Sequence, residues 1–351
     1  MSRFVNAHVG QMESYTPGEQ PRDKKYIKLN TNESPYPPSR GVIEAVNREA
    51  VEDLRLYSDP TALDLKKAIG GLYGKKPCEV FISNGSDDIL NFAFMAYGHL
   101  GAVYSDITYG FYKVYAKLHG AVSTVIPLLP DMTQDKSGYI RSGSFVVIAN
   151  PNAPTGEFIP LCEIEKIVAA NKDGVVLVDE AYVDFGGESA VPLTEKYDNL
   201  LVVCTYSKSR SMAGARLGFA IGNKELIGDL EKIKYSTNPY NVNRLTLTMG
   251  IAAVSDDAYY KENCKKIIKT REYTAKELEK VGFEVLPSKA NFIFAKSPDI
   301  GGKELYLALK EKGILVRHFD SERIKEYNRI TIGSYDEMVQ FIKTVKEIIG
   351  K

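Results

Sequence analysis

Two cations stand eight residues apart in the segment TYSKSRSMAGARLGF, residues 205–219: Lys208 and Arg216. The neighbouring residues are small or hydroxylated, and the segment contains no acid that would pair with the lysine. A lysine without an acidic partner is more useful as a nucleophile than in an ion pair, because its amine forms a Schiff base when the surroundings lower its pKa. The segment therefore predicts a reactive lysine with an anion-binding arginine beside it.

Two other polar segments follow apolar runs. Asn84, Gly85 and Ser86 end one run and open a helix, and such a turn offers free N–H groups to an anion such as a phosphate. A plain helix cap has the same composition, so the turn alone leaves both interpretations open. Asp179, with Glu180 and Tyr182 behind it, ends another run, and a carboxylate at the end of a buried strand needs a cation or a capping role.

The residues that follow these apolar runs would lie at one site if the runs are strands of the same sheet. In open α/β sheets, ligands bind beyond the carboxyl ends of the strands. Pyridoxal phosphate needs this combination of groups. Its aldehyde requires a lysine, its phosphate requires the turn and Arg216, and its ring nitrogen requires the carboxylate of Asp179. The sequence thus predicts pyridoxal 5′-phosphate as the cofactor.

The elements that position these residues alternate between strand and helix. Short runs rich in β-branched residues predict strands: EVFIS (79–83), FVVIAN (145–150), GVVLVDE (174–180), NLLVVCTY (199–206) and RLGFAIG (216–222). Continuous apolar strands with amphipathic helices between them indicate a largely parallel sheet covered on both faces.

A long helical region is predicted from 241 to about 281, followed by a smaller α/β unit. We therefore expect an N-terminal arm at 1–29, a large domain at 30–245 and a small C-terminal domain at 246–351.

The composition excludes several other classes of protein. The 351 residues include 45 basic and 45 acidic ones, so no net field favours nucleic acid or an anionic membrane. The chain has no apolar run long enough for a signal peptide or a membrane span, and no glycine-rich nucleotide-binding loop. Four dispersed cysteines indicate reduced thiols of a cytoplasmic protein, and with four scattered histidines they give no support for a metal site.

The segments NPNAPTG, VDEAYVDF and TYSKSRSMAGARLG, in this order and spacing, resemble the fold-type-I pyridoxal-phosphate aminotransferases. A closer resemblance, to the histidinol-phosphate aminotransferases, runs from about residue 10 to the end. It rests on SYTPGEQ, KLNTNESPYPPS, LYSDP, SNGSDDIL, ITYGFYKVY, PSKANFIFAK, GILVRHF and NRITIGS. The resemblance implies an α/β fold with a mostly parallel seven-stranded sheet in the large domain, a smaller C-terminal domain, and a homodimer with shared active sites.

The resemblance also implies roles for individual residues. Lys208 would be the Schiff-base lysine and proton shuttle, and Asp179 would pair with the pyridine nitrogen. Tyr182 would donate to the 3-oxygen of the ring, and Tyr109 would stack on the ring face. The residues implied to hold the phosphate are Gly85, Ser86, Asp87, Thr205, Ser207 and Arg216, together with Tyr57 from the neighbouring subunit. The other tyrosines near Tyr109, which are Tyr112 and Tyr115, are expected to form one apolar face of a helix.

The substrate side is implied to depend on Arg329, which would grip a carboxylate or its equivalent. Tyr15 and Arg317 match positions near the phosphate of the substrate. One position departs from the family pattern: the asparagine that usually donates to the 3-oxygen of the ring is Ala153 here, and the neighbouring Asn152 is the candidate replacement. One lost donor costs about 1–3 kcal/mol unless another group compensates.

The activity implied is transamination of histidinol phosphate with 2-oxoglutarate, giving imidazole-acetol phosphate and glutamate in histidine biosynthesis. The partners would be a small-molecule amino donor and a 2-oxo acid, with neither nucleic acid nor membrane involved. Two other activities on the same fold remain open: aromatic amino-acid transamination and phosphothreonine decarboxylation. A cofactor-binding module without catalysis is a third alternative, although both Lys208 and Arg329 are present.

Overall fold

The computed structural model describes residues 2–13 and 15–351. Its strands are β1 (Ile27–Lys28), β2 (Val80–Ser83), β3 (Ala102–Ser105), β4 (Ser123–Ile126), β5 (Phe145–Ala149), β6 (Val175–Asp179), β7 (Leu200–Thr205), β8 (Gly218–Gly222), β9 (Glu284–Val285), β10 (Phe292–Lys296), β11 (Ile314–Leu315), β12 (Arg317–His318) and β13 (Asn328–Thr331). Its α-helices are α1 (Ala7–Gly10), α2 (Arg40–Ala45), α3 (Arg48–Glu52), α4 (Leu63–Tyr73), α5 (Ser86–Tyr97), α6 (Phe111–Leu118), α7 (Leu161–Ala170), α8 (Lys224–Thr237), α9 (Arg244–Ser255), α10 (Asp257–Lys280), α11 (Gly302–Glu311) and α12 (Tyr335–Ile349).

The large sheet has seven strands in the order β2-β8-β7-β6-β5-β3-β4. Neighbouring strands run parallel except for β8, which is antiparallel to both β7 and β2. Every residue of β5, β6 and β7 is buried, because helices cover both faces of the sheet. This burial explains the continuous apolar runs in the sequence, and the prediction of a mostly parallel seven-stranded α/β sheet is confirmed.

Two strands of this sheet, β3 and β4, were not among the apolar runs that predicted strands. Strand β4 lies at the edge of the sheet, and only Ile126 of its four residues is buried. Strand β3 has only four residues, although all of them are buried. An edge strand that is mostly exposed carries no continuous apolar run, so the pattern that revealed the central strands is absent from it.

The predicted helix from 241 to about 281 is two helices, α9 and α10. Asp256 separates them with φ −97° and ψ 28°, and its carboxylate accepts a hydrogen bond of 3.1 Å from the N–H of Gly41. A second sheet, in the order β12-β13-β10-β9, follows α10 and is antiparallel throughout. This sheet and helices α11 and α12 form the smaller unit, while the domain boundaries at 29/30 and 245/246 stay predictions.

The N-terminal segment lies against both units. His8 and Gln11 hydrogen-bond to α6 through the Leu118 carbonyl and the Lys117 amine. Further along, Glu19 pairs with Lys310 of α11, and β1 adds to β11 as a parallel strand. The described residues of this segment therefore contact the large unit at His8 and Gln11 and the small unit at Glu19. No helix within residues 2–13 and 15–351 is long and apolar enough to cross a lipid bilayer.

Candidate active site

Two adjoining cavities lie where β6 and β7 end. The inner cavity, of about 460 Å³, is lined by residues that end strands of the large sheet or open α5, among them Ser86, Asp87, Asp179, Thr205, Ser207 and Arg216. The outer cavity, of about 520 Å³, is lined by Tyr15, Arg317 and Arg329 among others. Six residues line both cavities: Gln20, Thr31, Tyr109, Ala153, Tyr182 and Lys208. The fold thus brings most of the predicted site residues together around Lys208.

The amine of Lys208 donates a hydrogen bond of 3.1 Å to the carbonyl oxygen of Thr31. Burial lowers the pKa of this amine to about 8, and the nearby Arg329 adds to the effect. Glu33 acts in the opposite direction, but its carboxylate is paired with Lys28 at 2.6 Å. The sequence predicted a reactive lysine because no acid lies nearby in the chain. The lowered pKa agrees with that prediction, since it makes the neutral amine accessible near neutral pH.

The carboxylate of Asp179 is buried at the end of β6 and accepts two hydrogen bonds. Oδ1 accepts from the N–H of Ala181 at 3.1 Å, and Oδ2 accepts from the hydroxyl of Tyr112 at 2.8 Å. Burial raises the pKa of Asp179 to about 6, and these two hydrogen bonds oppose that rise. Tyr112 is buried, as expected for a residue on the apolar face of a helix. Its hydroxyl also contacts Asp179, so Tyr112 is more than a packing residue. Its position three residues after Tyr109, which lies just before α6, was the available signal.

The turn that opens α5 forms an anion-binding cradle with Arg216. Gly85 has φ +87°, and a Cβ atom there would lie 2.8 Å from Nη2 of Arg216. A Cβ atom at Gly218 would lie 2.5 Å from the backbone nitrogen of Ser86, so both positions require glycine. Free N–H groups at the start of α5 and the guanidinium together suit a phosphate.

Asp87 holds two of the predicted residues in place. Its Oδ2 accepts from Nη2 of Arg216 at 2.8 Å, and its Oδ1 accepts from the hydroxyl of Tyr109 at 2.7 Å. The remaining hydroxyl groups of the cradle are linked as well, because Thr205 donates to Oγ of Ser207 at 3.0 Å. The carboxylate of Asp87 therefore orients both the arginine and the tyrosine at the inner cavity.

The side chain of Asn152 does not reach either cavity. Its Nδ2 donates to the carbonyl of Ile107 and to Oγ1 of Thr155, both at 3.0 Å. Its Oδ1 accepts from the hydroxyl of Thr108 at 2.8 Å. One of these bonds lies within the same loop and the other two join Asn152 to the segment after β3, so both N–H groups of its amide are already used and its contact with the cofactor stays a prediction. Ala153 lines both cavities, but its methyl group has no donor.

A residue without an assigned role, Asn32, contacts Tyr182 instead. Nδ2 of Asn32 donates to the hydroxyl of Tyr182 at 3.0 Å. Burial raises the pKa of Tyr182, while Arg329 and the bond from Asn32 oppose the rise. Asn32 lies 150 positions before Tyr182 in the chain, so local sequence patterns contain no signal for this pair.

The outer cavity contains a guanidinium with free bonding capacity. Nη2 of Arg329 donates to the carbonyl of Asn30 at 3.0 Å, whereas its buried Nε has no hydrogen-bond partner among the residues that the structure describes. The guanidinium carbon lies 5.4 Å from the ring centroid of Phe292 and 5.8 Å from that of Phe319. Burial lowers the pKa of Arg329. A buried donor without a partner suits an anionic ligand.

The N-terminal segment closes one side of the outer cavity. Arg317 donates to the carbonyl oxygens of Thr16 and Pro17, at 3.0 and 3.2 Å. The ring of Tyr15 stacks on Phe111 with a centroid distance of 4.2 Å. Arg317 and Tyr15 therefore line the outer cavity, whereas Ser86 and Arg216 of the cradle line only the inner one.

Tyr57 lies outside both cavities of its own chain. Its side chain is 78% exposed and stacks on Tyr240 at a centroid distance of 4.5 Å. Its backbone carbonyl accepts a hydrogen bond of 3.2 Å from Nη1 of Arg244. Within one chain Tyr57 therefore contributes nothing to the site.

The groups around the inner cavity fit pyridoxal phosphate. The cradle at Gly85, where a Cβ would clash, provides room for a phosphate against backbone N–H groups. A carboxylate, an amine with a lowered pKa and a tyrosine ring lie around the remaining space. Together they match the ring nitrogen, the aldehyde and the flat ring of the cofactor.

The aminotransferase class I and II family model matches residues 24–345. The histidinol-phosphate aminotransferase of Brachyspira hyodysenteriae is 52% identical over 352 residues, with 99% of each chain covered. The histidinol-phosphate aminotransferase of Clostridium acetobutylicum is 48% identical over 352 residues, with 100% of each covered. Among solved structures, histidinol-phosphate aminotransferase from Sinorhizobium meliloti in complex with pyridoxal-5′-phosphate has a TM-score of 0.88 at 24% identity, covering 100% of this chain and 98% of that one.

Proposed function

Since the chain belongs to the aminotransferase class I and II family, and to the histidinol-phosphate aminotransferases within it, we propose that it transfers an amino group between histidinol phosphate and 2-oxoglutarate. The products are imidazole-acetol phosphate and glutamate, which assigns the chain to histidine biosynthesis. One observation supports this proposal above the others. The Lys208 amine, with its pKa lowered to about 8, lies between an anion cradle and an arginine whose buried Nε has no partner among the described residues.

The chemistry that pyridoxal phosphate supplies when bound is an electron-accepting ring joined to the carbon that receives the amino group. Asp179 supports that chemistry by placing a negative charge beside the ring nitrogen and keeping the nitrogen protonated. The Tyr112 hydroxyl and the Ala181 N–H hold this carboxylate in its ionised form. The cradle formed by Arg216 and the Gly85–Ser86 turn holds the phosphate.

Lys208 moves the proton. Its amine lies next to the Thr31 carbonyl, and its lowered pKa makes the neutral form available as a base. We assign to it the removal of the proton from the substrate carbon that bears the amino group. Tyr109, fixed by Asp87, would pack against the ring face and limit rotation of the bound ring.

We assign to Arg329 the binding of the anionic group of the substrate, which is either a carboxylate or a phosphate. Histidinol phosphate carries a phosphate monoester and no α-carboxylate, whereas glutamate carries two carboxylates, so one site must accept both kinds of anion. A planar guanidinium fork suits carboxylate and phosphate oxygens alike. The free Nε of Arg329 supports this assignment, and Arg317 and Tyr15 lie where they would contact the phosphate of the ester.

We also infer a homodimer with two shared active sites. Tyr57 and Tyr240 form an exposed aromatic pair that needs a covering surface. In the dimer, the Tyr57 hydroxyl would contact the phosphate of the cofactor in the other subunit. An interface of this kind is isologous, so each subunit completes the site of the other. A cytoplasmic location is inferred from the four cysteines, which are all free thiols.

A donor panel with the purified protein tests the function. Histidinol phosphate, phenylalanine, tyrosine and phosphothreonine are each offered with 2-oxoglutarate, and glutamate formation and carbon dioxide release are measured. We expect glutamate formation to be fastest with histidinol phosphate. Preference for an aromatic amino acid, or carbon dioxide release from phosphothreonine, would identify one of the alternative activities on this fold.

Lys208→Ala provides the control for catalysis in the same panel. The variant should bind pyridoxal phosphate through the cradle and Asp179 but form no glutamate from any donor, because the base is missing. Lys343→Ala, which changes an exposed lysine of α12, should behave as the unmodified protein. Near-normal turnover in Lys208→Ala would refute the assignment, and no turnover in the unmodified protein would favour a binding module without catalysis.

A further inference from the structure

Asn32 makes hydrogen bonds through both its backbone and its side chain at the boundary between the two units. It is 1% exposed and adopts φ +57°, a left-handed conformation that asparagine tolerates better than most residues. Its backbone N–H donates to Oγ1 of Thr331, and its carbonyl accepts from Nδ2 of Asn291, both at 3.0 Å. Its side chain contacts Tyr182 and Thr331, also at 3.0 Å. The backbone at this position is therefore held from both sides.

The surroundings determine which way the Asn32 amide points. Oγ1 of Thr331 accepts from the backbone N–H of Asn32 and donates its own proton to Oδ1 of the same residue. If the amide were reversed, the Thr331 proton would face an NH₂ group and have no acceptor. Nδ2 of Asn32 consequently faces the Tyr182 hydroxyl and donates to it.

A tyrosine hydroxyl has one proton to donate and can accept hydrogen bonds as well. Because Tyr182 accepts from Asn32, its own proton remains available to an acceptor in the cavity. Tyr182 and Ala153 line both cavities, whereas Ser86 and Arg216 line only the inner one. The Tyr182 hydroxyl is thus on the side of the site away from the phosphate cradle.

The substitution pattern of the pyridoxal ring then identifies the acceptor. Its aldehyde carbon lies between the carbon that bears the hydroxyl oxygen and the carbon that bears the phosphate arm. With the nitrogen at Asp179, the aldehyde at Lys208 and the phosphate at the cradle, the hydroxyl oxygen faces away from the cradle. Tyr182 and the methyl group of Ala153 line that side, and of these two residues Tyr182 has the donor.

We propose that Asn32 is a positioning residue that directs the Tyr182 proton to the 3-oxygen of the cofactor and so compensates for the donor that Ala153 lacks. The inference rests on the proposed function for the identity of the cofactor. The same bonds join this donor pair to Thr331, two residues from Arg329 on β13. The 3-oxygen and the substrate-binding strand are therefore linked through one buried asparagine.

Asn32→Asp tests the direction of the bond. Aspartate keeps the size of asparagine and tolerates a left-handed conformation, but its carboxylate accepts the Tyr182 proton instead of donating to the hydroxyl. Two readouts that need no substrate are the dissociation constant of pyridoxal phosphate and the pH midpoint of the absorbance change of the bound cofactor. We expect weaker binding, by roughly tenfold, and a midpoint at higher pH, because the charged 3-oxygen loses its donor.

Two further variants separate this role from a merely structural one. Ala153→Asn, which restores an amide donor, should return the midpoint of Asn32→Asp toward that of the unmodified protein. In a Tyr182→Phe background, Asn32→Asp should leave the midpoint where Tyr182→Phe alone puts it, because no hydroxyl remains to be directed. Thermal unfolding of the cofactor-free proteins shows whether each variant is folded.

The outcomes distinguish this inference from the proposed function. An unchanged midpoint and affinity in Asn32→Asp would overturn the inference while leaving the cofactor in place. An equal shift in the Tyr182→Phe background would overturn it as well, since the effect would not pass through Tyr182. If Asn32→Asp does not fold, the single variant Ala153→Asn still tests whether the site lacks a donor to the 3-oxygen. The pH midpoint of the absorbance change should then be lower than in the unmodified protein. An unchanged midpoint would contradict the inference. A protein that binds no pyridoxal phosphate in any variant would instead refute the proposed function.

Discussion

The hydroxyl of Tyr112 donates a hydrogen bond of 2.8 Å to Oδ2 of Asp179, joining α6 to the end of β6 inside the buried centre of the large unit. Tyr112 is fully buried, and this carboxylate is the acceptor for its hydroxyl among the described residues. The bond favours the ionised form of Asp179 against burial, which raises its pKa to about 6. The carboxylate that we propose to pair with the cofactor nitrogen is thus itself held in its ionised form by a tyrosine.

Tyr112→Phe should move the acidic limb of the activity profile to higher pH. Removing the donor raises the pKa of Asp179 further, and the carboxylate must be ionised, so activity is lost at a higher pH as the solution is acidified. A hydrogen bond to a charged group contributes about 1.5–3 kcal/mol, which corresponds to a shift of about one to two pH units. The profile of kcat against pH for both proteins measures the shift.

Tyr115→Phe is the matched control for that experiment. Tyr115 lies one helical turn from Tyr112 and packs on Phe94 and Phe111 without contacting Asp179. Its profile should coincide with that of the unmodified enzyme. If Tyr112→Phe gave the same profile as the control, the bond to Asp179 would have no role in setting its charge.

The second prediction concerns the pH dependence of cofactor binding. Only the neutral amine of Lys208 attacks an aldehyde, so the rate at which cofactor-free enzyme recombines with pyridoxal phosphate should rise with pH around a midpoint near 8. Arg329→Gln removes the second largest cause of the lowered pKa, so its midpoint should move upward toward the ordinary lysine value. Stopped-flow absorbance measures both midpoints. A common midpoint in the two proteins would contradict the effect of Arg329.

The third prediction concerns the guanidinium of Arg329. Arg329→Lys keeps the positive charge but loses the planar fork, so kcat/KM should fall by about tenfold or more for both histidinol phosphate and glutamate, about 1.4 kcal/mol. Arg48→Lys, at an exposed arginine of α3, should change neither value. A loss of kcat/KM for only one of the two substrates would show that Arg329 does not bind both anions.

The fourth prediction concerns assembly. Sedimentation should give a homodimer at assay concentrations, and Tyr57→Phe should weaken retention of pyridoxal phosphate by about 0.5–1.5 kcal/mol, the magnitude of one hydrogen bond. Tyr240→Phe provides the comparison, because it keeps the aromatic pair with Tyr57 and removes a hydroxyl with no assigned role. A fully active monomer would disprove the shared site, and equal losses in the two variants would remove the special role of Tyr57.

Much of the fold was predictable because its signal is local. The central strands β5, β6 and β7 are buried on both faces, so each required a continuous apolar run that stands out in the sequence. The ends of parallel strands meet at one edge of a sheet, so Lys208 and Asp179 could be assigned to one site without coordinates. The edge strand β4 was not predicted, because three of its four residues are exposed and it has no continuous apolar run.

The sequence by itself therefore determined the α/β class and the cofactor, and it predicted the residues that would react with the cofactor, since each depends on residue type and position along a strand. The tertiary structure decided how those residues are held. Asn32 meets Tyr182 across 150 positions, and Lys208 meets the Thr31 carbonyl across 177. The tertiary structure also holds the Asn152 amide away from the site through a hydrogen bond from Thr108. No local sequence pattern indicates this bond. Hydrogen bonds between distant segments depend on burial and direction, and these arise only when the chain is folded.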